Sequence, residues 1–270
     1  MTDSLFSAID RCNELLRLDF SAEEFAKLAE ERSLSAESIE AVSSVFEYLR
    51  DKKEQSTIQM LLRTSRLPQK QVKTFDNFDF NVLKGKDIDK LKNLQTLAPI
   101  YAHKNIAFIG PPGTGKTHLA QAFGYECCRH RMKTYFIKAA ELRDKFTIAR
   151  RAGREGALLT SLVRPSCLII DEVGHCEFDK ANTRLFFDMV DRRYNKEGAF
   201  NMIFTSNKNP SDWREIFGEN DALLCSLDRL FDSASVFTFR GESFRGKHLE
   251  NYTLRADHSA SPTQDNPLNH

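Results

Sequence analysis

Glycine and proline are both absent from the 67 residues that precede Pro68. That absence removes the usual turn and break signals and leaves a segment suited to helices. Nowhere does an apolar run approach the roughly twenty residues of a membrane-spanning helix, and short runs such as Ile106–Ile109 are typical. The N-terminus carries Asp3 and Asp10 and has no cationic start followed by an apolar stretch, so it is not expected to be a signal peptide. The expected compartment is the cytoplasm, with no membrane partner. Six cysteines (Cys12, Cys127, Cys128, Cys167, Cys176 and Cys225) include no C-x-x-C pair and no following His pattern. This speaks against zinc and against a disulfide framework in a chain of this size. Cys167 lies in an apolar strand and reads as a small buried hydrophobe.

Net charge is also nearly lacking, at +1, but it is unevenly spread. Residues 1–50 hold 11 acidic and 5 basic side chains, a balance of −6. Residues 129–154 hold 9 Lys and Arg against Glu141 and Asp144, a balance of +7. Such segregation predicts an acidic interaction module and a basic surface.

Residues 1–67 are expected to form three or four helices, with Ser4, Ser21 and Ser35 as N-caps. Pro68–Lys73 is a polar linker, followed by an aromatic cluster, TFDNFDF, at 74–80 and a helix over Asp87–Ala98. From residue 104 short apolar strands alternate with amphipathic helices. The strands are Ile106–Ile109, Thr134–Lys138, Cys167–Ile170, Asn201–Ser206 and Val236–Phe239. The helices are Thr117–Cys128, Ala139–Arg151, Lys180–Asn195 and Ala222–Phe231. This alternation predicts an α/β fold with a parallel sheet covered on both faces. The expected domains are 1–67, helical; 68–255, α/β; and 256–270, a disordered polar tail.

Gly110-Pro111-Pro112-Gly113-Thr114-Gly115-Lys116-Thr117 fits G-x-x-x-x-G-K-[ST] at every fixed position. The glycines let backbone N–H groups turn inward around phosphate, and the following helix aims its first amides at the anion. Lys116 should reach the β- and γ-phosphates of ATP, and the Thr117 hydroxyl should bind Mg²⁺. An apolar strand leads into the loop and an amphipathic helix leaves it, as that mechanism needs. The nucleotide-binding set expected here runs from Gly110 through His118.

A second apolar strand ends in Asp171-Glu172. Asp171 is expected to hold Mg²⁺ and Glu172 to polarise the attacking water. The bland alternative is a strand end with solvated acids. A third strand ends in Thr-Ser-Asn207, where Asn207 could position the water or merely open a turn. Arg229 is a candidate finger for a neighbouring subunit's γ-phosphate; alternatively it pairs with Asp228 or Asp232. Arg245 could contact phosphate or form a salt bridge at the core edge.

Taken together, GPPGTGKTHLA (110–120), LIIDEVG (168–174), TSNKNPSDW (205–213), SLDRLFDSA (226–234) and GESFR (241–245) resemble AAA+ ATPases. The likeness is closer to one branch, the transposition helpers of the IstB type, with the helicase loader DnaC as a relative, and it covers about residues 70–250. It implies a P-loop AAA+ domain with a central parallel sheet, a helical region before it, and Arg229 acting in trans within a homo-oligomer. It further implies ATP-dependent assembly on DNA beside a transposase. The chain departs from the pattern after the acid pair, where it reads VGHCEFD (173–179), and only a short helix fits after Arg245, so no full helical lid is expected.

If the resemblance holds, duplex DNA would be gripped without sequence preference by Arg129, Arg131, Lys133, Lys145, Arg150, Arg151 and Arg154. The same residues could simply form a solvated helix face. Three rival functions share the loop: a replicative helicase loader, a nucleotide-gated binding module without turnover, and a small-molecule kinase. The Asn207 and Arg229 pair and the expected lack of a lid argue against the kinase.

Overall fold

The computed structural model describes residues 9–10, 12–13, 15–217, 227–232, 234–241 and 243–244. Residues 9–10, 12–13 and 15–16 are helical, and two helices follow, α1 (Ala22–Glu31) and α2 (Ala36–Thr64). Their N-caps are Ser21 and Ser35, the positions expected. Ser21 and Glu24 exchange bonds in a capping box: the Ser21 hydroxyl accepts the Glu24 N–H at 3.1 Å, and the Glu24 carboxylate accepts the Ser21 N–H at 2.7 Å. Ser4, the short helix after Arg245 and the tail at 256–270 lie outside the described residues.

At 29 residues, α2 is about 43 Å long. Its last turn joins the main core, where Leu61, Leu62 and the following Leu67 are buried. The Phe136 N–H donates to the Ser65 carbonyl at 2.8 Å, tying the helix exit to the sheet.

The expected Asp87–Ala98 helix is broken. It divides into α3 (Ile88–Lys92), a 3₁₀ turn (Asn93–Thr96) and α4 (Ala98–Tyr101). The break falls at Leu97, whose φ of 58° is left-handed, just before Pro99 at the start of α4.

Five parallel strands then alternate with helices. They are β1 (Ile106–Ile109), β2 (Thr134–Lys138), β3 (Cys167–Val173), β4 (Asn201–Ser206) and β5 (Ser235–Thr238). The helices between them are α5 (Lys116–Arg129), α6 (Ala139–Arg151), α7 (Glu155–Val163), α8 (Lys180–Tyr194) and α9 (Trp213–Phe217). Residues 227–231 are also helical. Neither α7 nor α9 is foreseen from periodicity. The strand order is β2-β3-β4-β1-β5, so β4 lies between the loop strand β1 and the acidic strand β3.

Both sheet faces are covered. Ile106, Phe108, Phe136, Cys167, Ile169 and Ile203 pack toward α5 and the end of α2. Ile137, Leu168, Ile170, Met202 and Phe204 pack toward α6, α7, α8 and α9. The period of two along each strand divides the side chains between the two cores. Each large apolar side chain so buried contributes about 1.5–3 kcal/mol. Among the described residues no helix follows β5 and no helix is long and apolar enough to cross a membrane.

Candidate nucleotide-binding site

β1 delivers the chain to Gly110, whose N–H donates to the Ser206 carbonyl of β4 at 3.1 Å. The loop then turns through left-handed backbone at Gly113 (φ 79°) and Gly115 (φ 91°). These two positions also lack room for a side chain. A Cβ on Gly113 would lie 1.9 Å from Ser243 Oγ, and one on Gly115 would lie 2.7 Å from the Phe78 ring. Gly115 is the N-cap of α5 and gives that helix no side-chain cap. The first turn of α5 therefore presents backbone amides with no capping side chain at the loop, as an anion site requires. Lys116 curls over the loop, its Nζ donating to the carbonyls of Gly110 at 2.7 Å and Pro111 at 2.6 Å.

Thr117, at the start of α5 after β1, and Asp171 on β3 meet although β4 separates the two strands. The Thr117 hydroxyl donates to Asp171 Oδ1 at 2.8 Å. Thr205 on β4, a residue the sequence reading passed over, donates to the same oxygen at 2.5 Å. Asp171 is 1% exposed. Burial raises its carboxyl above the usual aspartate range, against the two hydroxyl donors that pull it down. A buried carboxylate facing a threonine hydroxyl beside a phosphate loop is a donor set that suits Mg²⁺.

Glu172 is held in an uncommon way. Its φ is 60°, left-handed for a residue with a Cβ, at a shift in register between Ile170 and Val173 where β3 pairs with β4. Backbone of this kind persists only where its surroundings enforce it, and it clusters at functional positions. Here the Glu172 N–H donates to Thr205 Oγ1 at 2.9 Å. One hydroxyl thus fixes both the Asp171 carboxylate and the Glu172 backbone. The Glu172 side chain faces Lys138 at the end of β2, with Nζ to Oε2 at 2.9 Å. Lys138 is a second residue missed as part of the site; its position at the tip of an adjoining strand was the available signal.

Asn207 follows directly on β4 and is exposed. A Cβ on Gly174 would lie 3.4 Å from Asn207 Oδ1, so the exits of β3 and β4 approach closely there. His118 packs edge-on against Phe78 at 5.0 Å, and its Nε2 lies 2.9 Å from the Thr74 carbonyl. Burial lowers its pKa, and because a carbonyl only accepts, the neutral ring carries its proton on Nε2. Beside the loop a cavity of about 1240 Å³ opens between residues 82–99 and β5, with Thr114, Arg240 and Phe244 at its wall.

The remaining expected residues are more dispersed. Arg229 pairs with Asp191 on α8, Nη1 to Oδ1 at 2.6 Å, rather than with Asp228 or Asp232. It lies near the start of β5, where Asn105, just before β1, donates to the Leu230 carbonyl at 2.8 Å. That is the end of the sheet opposite the loop. Arg245 lies outside the described residues. The basic residues split into two groups. Arg129 ends α5, and Arg131 and Lys133 lie between it and β2, at the N-terminal ends of the strands, with Arg129 against Glu126 and Arg131 against Glu54. Arg150, Arg151 and Arg154 lie at the far end of α6, where Arg150 pairs with Asp179, the N-cap of α8. Lys145 is on α6 near Glu141.

The buried acid yields a stability test. A carboxyl whose folded pKa lies above its unfolded value favours folding only while protonated, and that contribution is lost as pH rises from the ordinary aspartate range through the raised folded value. Asp171→Asn keeps an acceptor for both hydroxyls and removes the buried charge. The nucleotide-free variant is expected to melt at or above the parent temperature at pH 7, with the difference shrinking in acid, while Mg²⁺-dependent ATP binding weakens. A clearly lower melting temperature at pH 7 would contradict this picture of a charge held at a cost.

Comparison with known proteins agrees with this geometry. Residues 13–251 match the family described as IstB-like ATP binding protein. The match takes in most of the helical N-terminal region, which the motifs at 70–250 did not reach. A protein named as an ATP-binding protein of insertion sequence IS5376, from Geobacillus stearothermophilus, is 40% identical over 72% of this chain and 75% of its own length. One named likewise for insertion sequence IS232, from Bacillus thuringiensis subsp. berliner, is 32% identical over 77% of this chain and 82% of its own. Among solved structures, AMPPCP-bound DnaA from Aquifex aeolicus superposes with a TM-score of 0.52 at 21% identity. That likeness covers 64% of this chain but only 51% of the DnaA chain, and it concerns the fold.

Proposed function

The chain belongs to the IstB-like ATP binding protein family, and from that premise we propose that it hydrolyses ATP as a DNA-bound oligomer that assists a transposase. The observation that carries the hydrolytic part is the Thr117–Asp171–Thr205–Glu172 constellation at the loop. Lys116 and the amides of the loop would hold the β- and γ-phosphates, and the nucleoside would enter the cavity beside Thr114. Mg²⁺, held by Thr117 and Asp171, would neutralise phosphate charge. Glu172 would take the proton of the attacking water, and Asn207 would orient that water from the next strand tip. Arg229 lies at the wrong end of its own sheet for its own loop, which favours service to a neighbouring protomer's site. The transposase enters because relatives in sequence are named for insertion sequences. The helical 1–67 segment is the proposed partner-facing unit and 68–255 the ATPase unit.

The Lys138–Glu172 pair gives the site a resting state. The Lys138 ammonium occupies one oxygen of the Glu172 carboxylate, so that oxygen meets the attacking water only when the ion pair opens. Lys138→Met is expected to raise basal phosphate release severalfold in the absence of DNA. A fall in turnover would instead make Lys138 part of the working site.

DNA binding is proposed chiefly for Arg150, Arg151 and Arg154, because α6 places them on the same end of the sheet as the nucleotide. The test is duplex binding across a salt series. Each lost phosphate contact lowers the slope of log K against log salt by about 0.9. Replacing all three by Ala is expected to lower it by about 2.7, whereas replacing Arg129, Arg131 and Lys133 should change it little. Equal slopes for the parent and the 150/151/154 variant would overturn the assignment.

A further inference from the structure

Residues 67–78, between α2 and α3, run along α5 as a strap, against the helix direction and toward the phosphate loop. The strap starts at Gly124, where a Cβ would lie 3.5 Å from Leu67 Cδ1. Val72 and Lys73 share a small cleft with Gln121 and Tyr125. Thr74 reaches His118, whose half-buried ring donates from Nε2 to the Thr74 carbonyl at 2.9 Å. Phe78 ends on Gly115, its ring filling the space that a Cβ there would need. The strap is braced within itself. The Thr74 N–H donates to Asn77 Oδ1 at 2.9 Å, the Asn77 N–H to Thr74 Oγ1 at 3.2 Å, and Asn77 Nδ2 to the Val72 carbonyl at 2.8 Å. Phe75 is buried, and Phe80 and His118 flank Phe78 edge-on at 4.9 Å and 5.0 Å.

We infer that Phe78 and His118 are positioning residues for the phosphate loop: Phe78 stops the Gly115 backbone, and His118 latches the strap that carries Phe78. The inference rests on the loop being an ATP site. Glycine crosses freely between left- and right-handed backbone, and the loop keeps its shape only while Gly115 stays near its φ of 91°. A ring already against Gly115 removes that freedom before a nucleotide arrives, so binding does not have to supply the ordering. His118 closes the expected nucleotide-binding set, yet its bond runs to the strap. Glu172 is fixed by Thr205 and β3, not by the strap, so loss of the ring falls on affinity and spares the chemical step.

Binding of ATP and of inorganic tripolyphosphate to the full chain, each read by displacement of a fluorescent ATP analogue, tests this. Phe78→Ala is expected to raise the dissociation constant of ATP about tenfold, the cost of ordering about one residue's backbone on binding. Turnover at saturating ATP should stay within about twofold of the parent's. Tripolyphosphate has no base or sugar and should lose affinity by the same factor. A loss confined to ATP would make Phe78 a wall of the base pocket and overturn the inference. His118→Leu should weaken both ligands as Phe78→Ala does, and the double variant should bind no worse than either single one, because both act through one strap. His118→Gln keeps an N–H donor for the Thr74 carbonyl and should bind more tightly than His118→Leu. Parent-like constants in Phe78→Ala and His118→Leu would overturn the inference, and so would equal losses in His118→Leu and His118→Gln. A parent that binds neither ligand would overturn the ATP reading itself, and this inference with it.

Discussion

Glu172→Gln is expected to bind ATP about as well as the parent and to lower turnover by about 10² to 10⁴, the range that general-base catalysis supplies. The amide keeps the size and polarity of the side chain and loses only the capacity to accept a proton. Binding should survive because the residues that hold phosphate, Lys116 and the glycine-turned loop, belong to β1 and α5. The carboxylate belongs to β3, where the left-handed φ of 60° and the bond from the Glu172 N–H to Thr205 fix its backbone. Fluorescent-nucleotide binding and phosphate release, measured on one preparation, separate the two effects. Turnover equal to the parent's would remove Glu172 from its role and leave the strained backbone at that position without a purpose in hydrolysis.

Arg229→Ala is expected to lose about 10³ or more in turnover, as loss of a guanidinium aimed at transferring phosphoryl charge does. ATP binding should be nearly unchanged. The informative experiment mixes this variant with Glu172→Gln, each inactive alone. A loop with intact Glu172 beside a neighbour with intact Arg229 is a complete site. Random assembly of equal amounts makes about a quarter of the interfaces complete, so about a quarter of the parent rate should return. The pairing of Arg229 with Asp191 at 2.6 Å is what the isolated protomer offers the side chain in the meantime. No recovery on mixing would confine Arg229 to a structural pair with α8.

The phosphate loop and the acid pair are legible in the sequence because their chemistry demands fixed residue types at fixed spacing. Gly113 and Gly115 occupy backbone that other residues rarely adopt, and Asp171-Glu172 ends an uninterrupted apolar strand. Strand limits for β1, β2 and β4 are legible for a related reason: buried parallel strands are short apolar runs between polar turns. Thr205 and Lys138 are not legible. Each is an ordinary polar residue at a strand end, and each matters only because the order β2-β3-β4-β1-β5 brings strands far apart in sequence side by side. The extension of β3 through the acids to Val173 is hidden likewise, since it depends on a register shift against β4. The basic cluster reads as one surface along the chain, yet α5 and α6 carry its two halves to different places. The break at Leu97 is invisible to periodicity because a left-handed leucine violates the local preference that periodicity assumes.

Sizing the purified protein with and without ATP, each with and without duplex DNA, alongside phosphate release, bears most directly on the proposal of an ATP-hydrolysing assembly on DNA. The expected result is a large species that needs both ATP and DNA, with phosphate release highest in that same condition. A chain of one size in all four conditions, whether or not it releases phosphate, would contradict the proposal and leave Arg229 without a neighbouring site to serve.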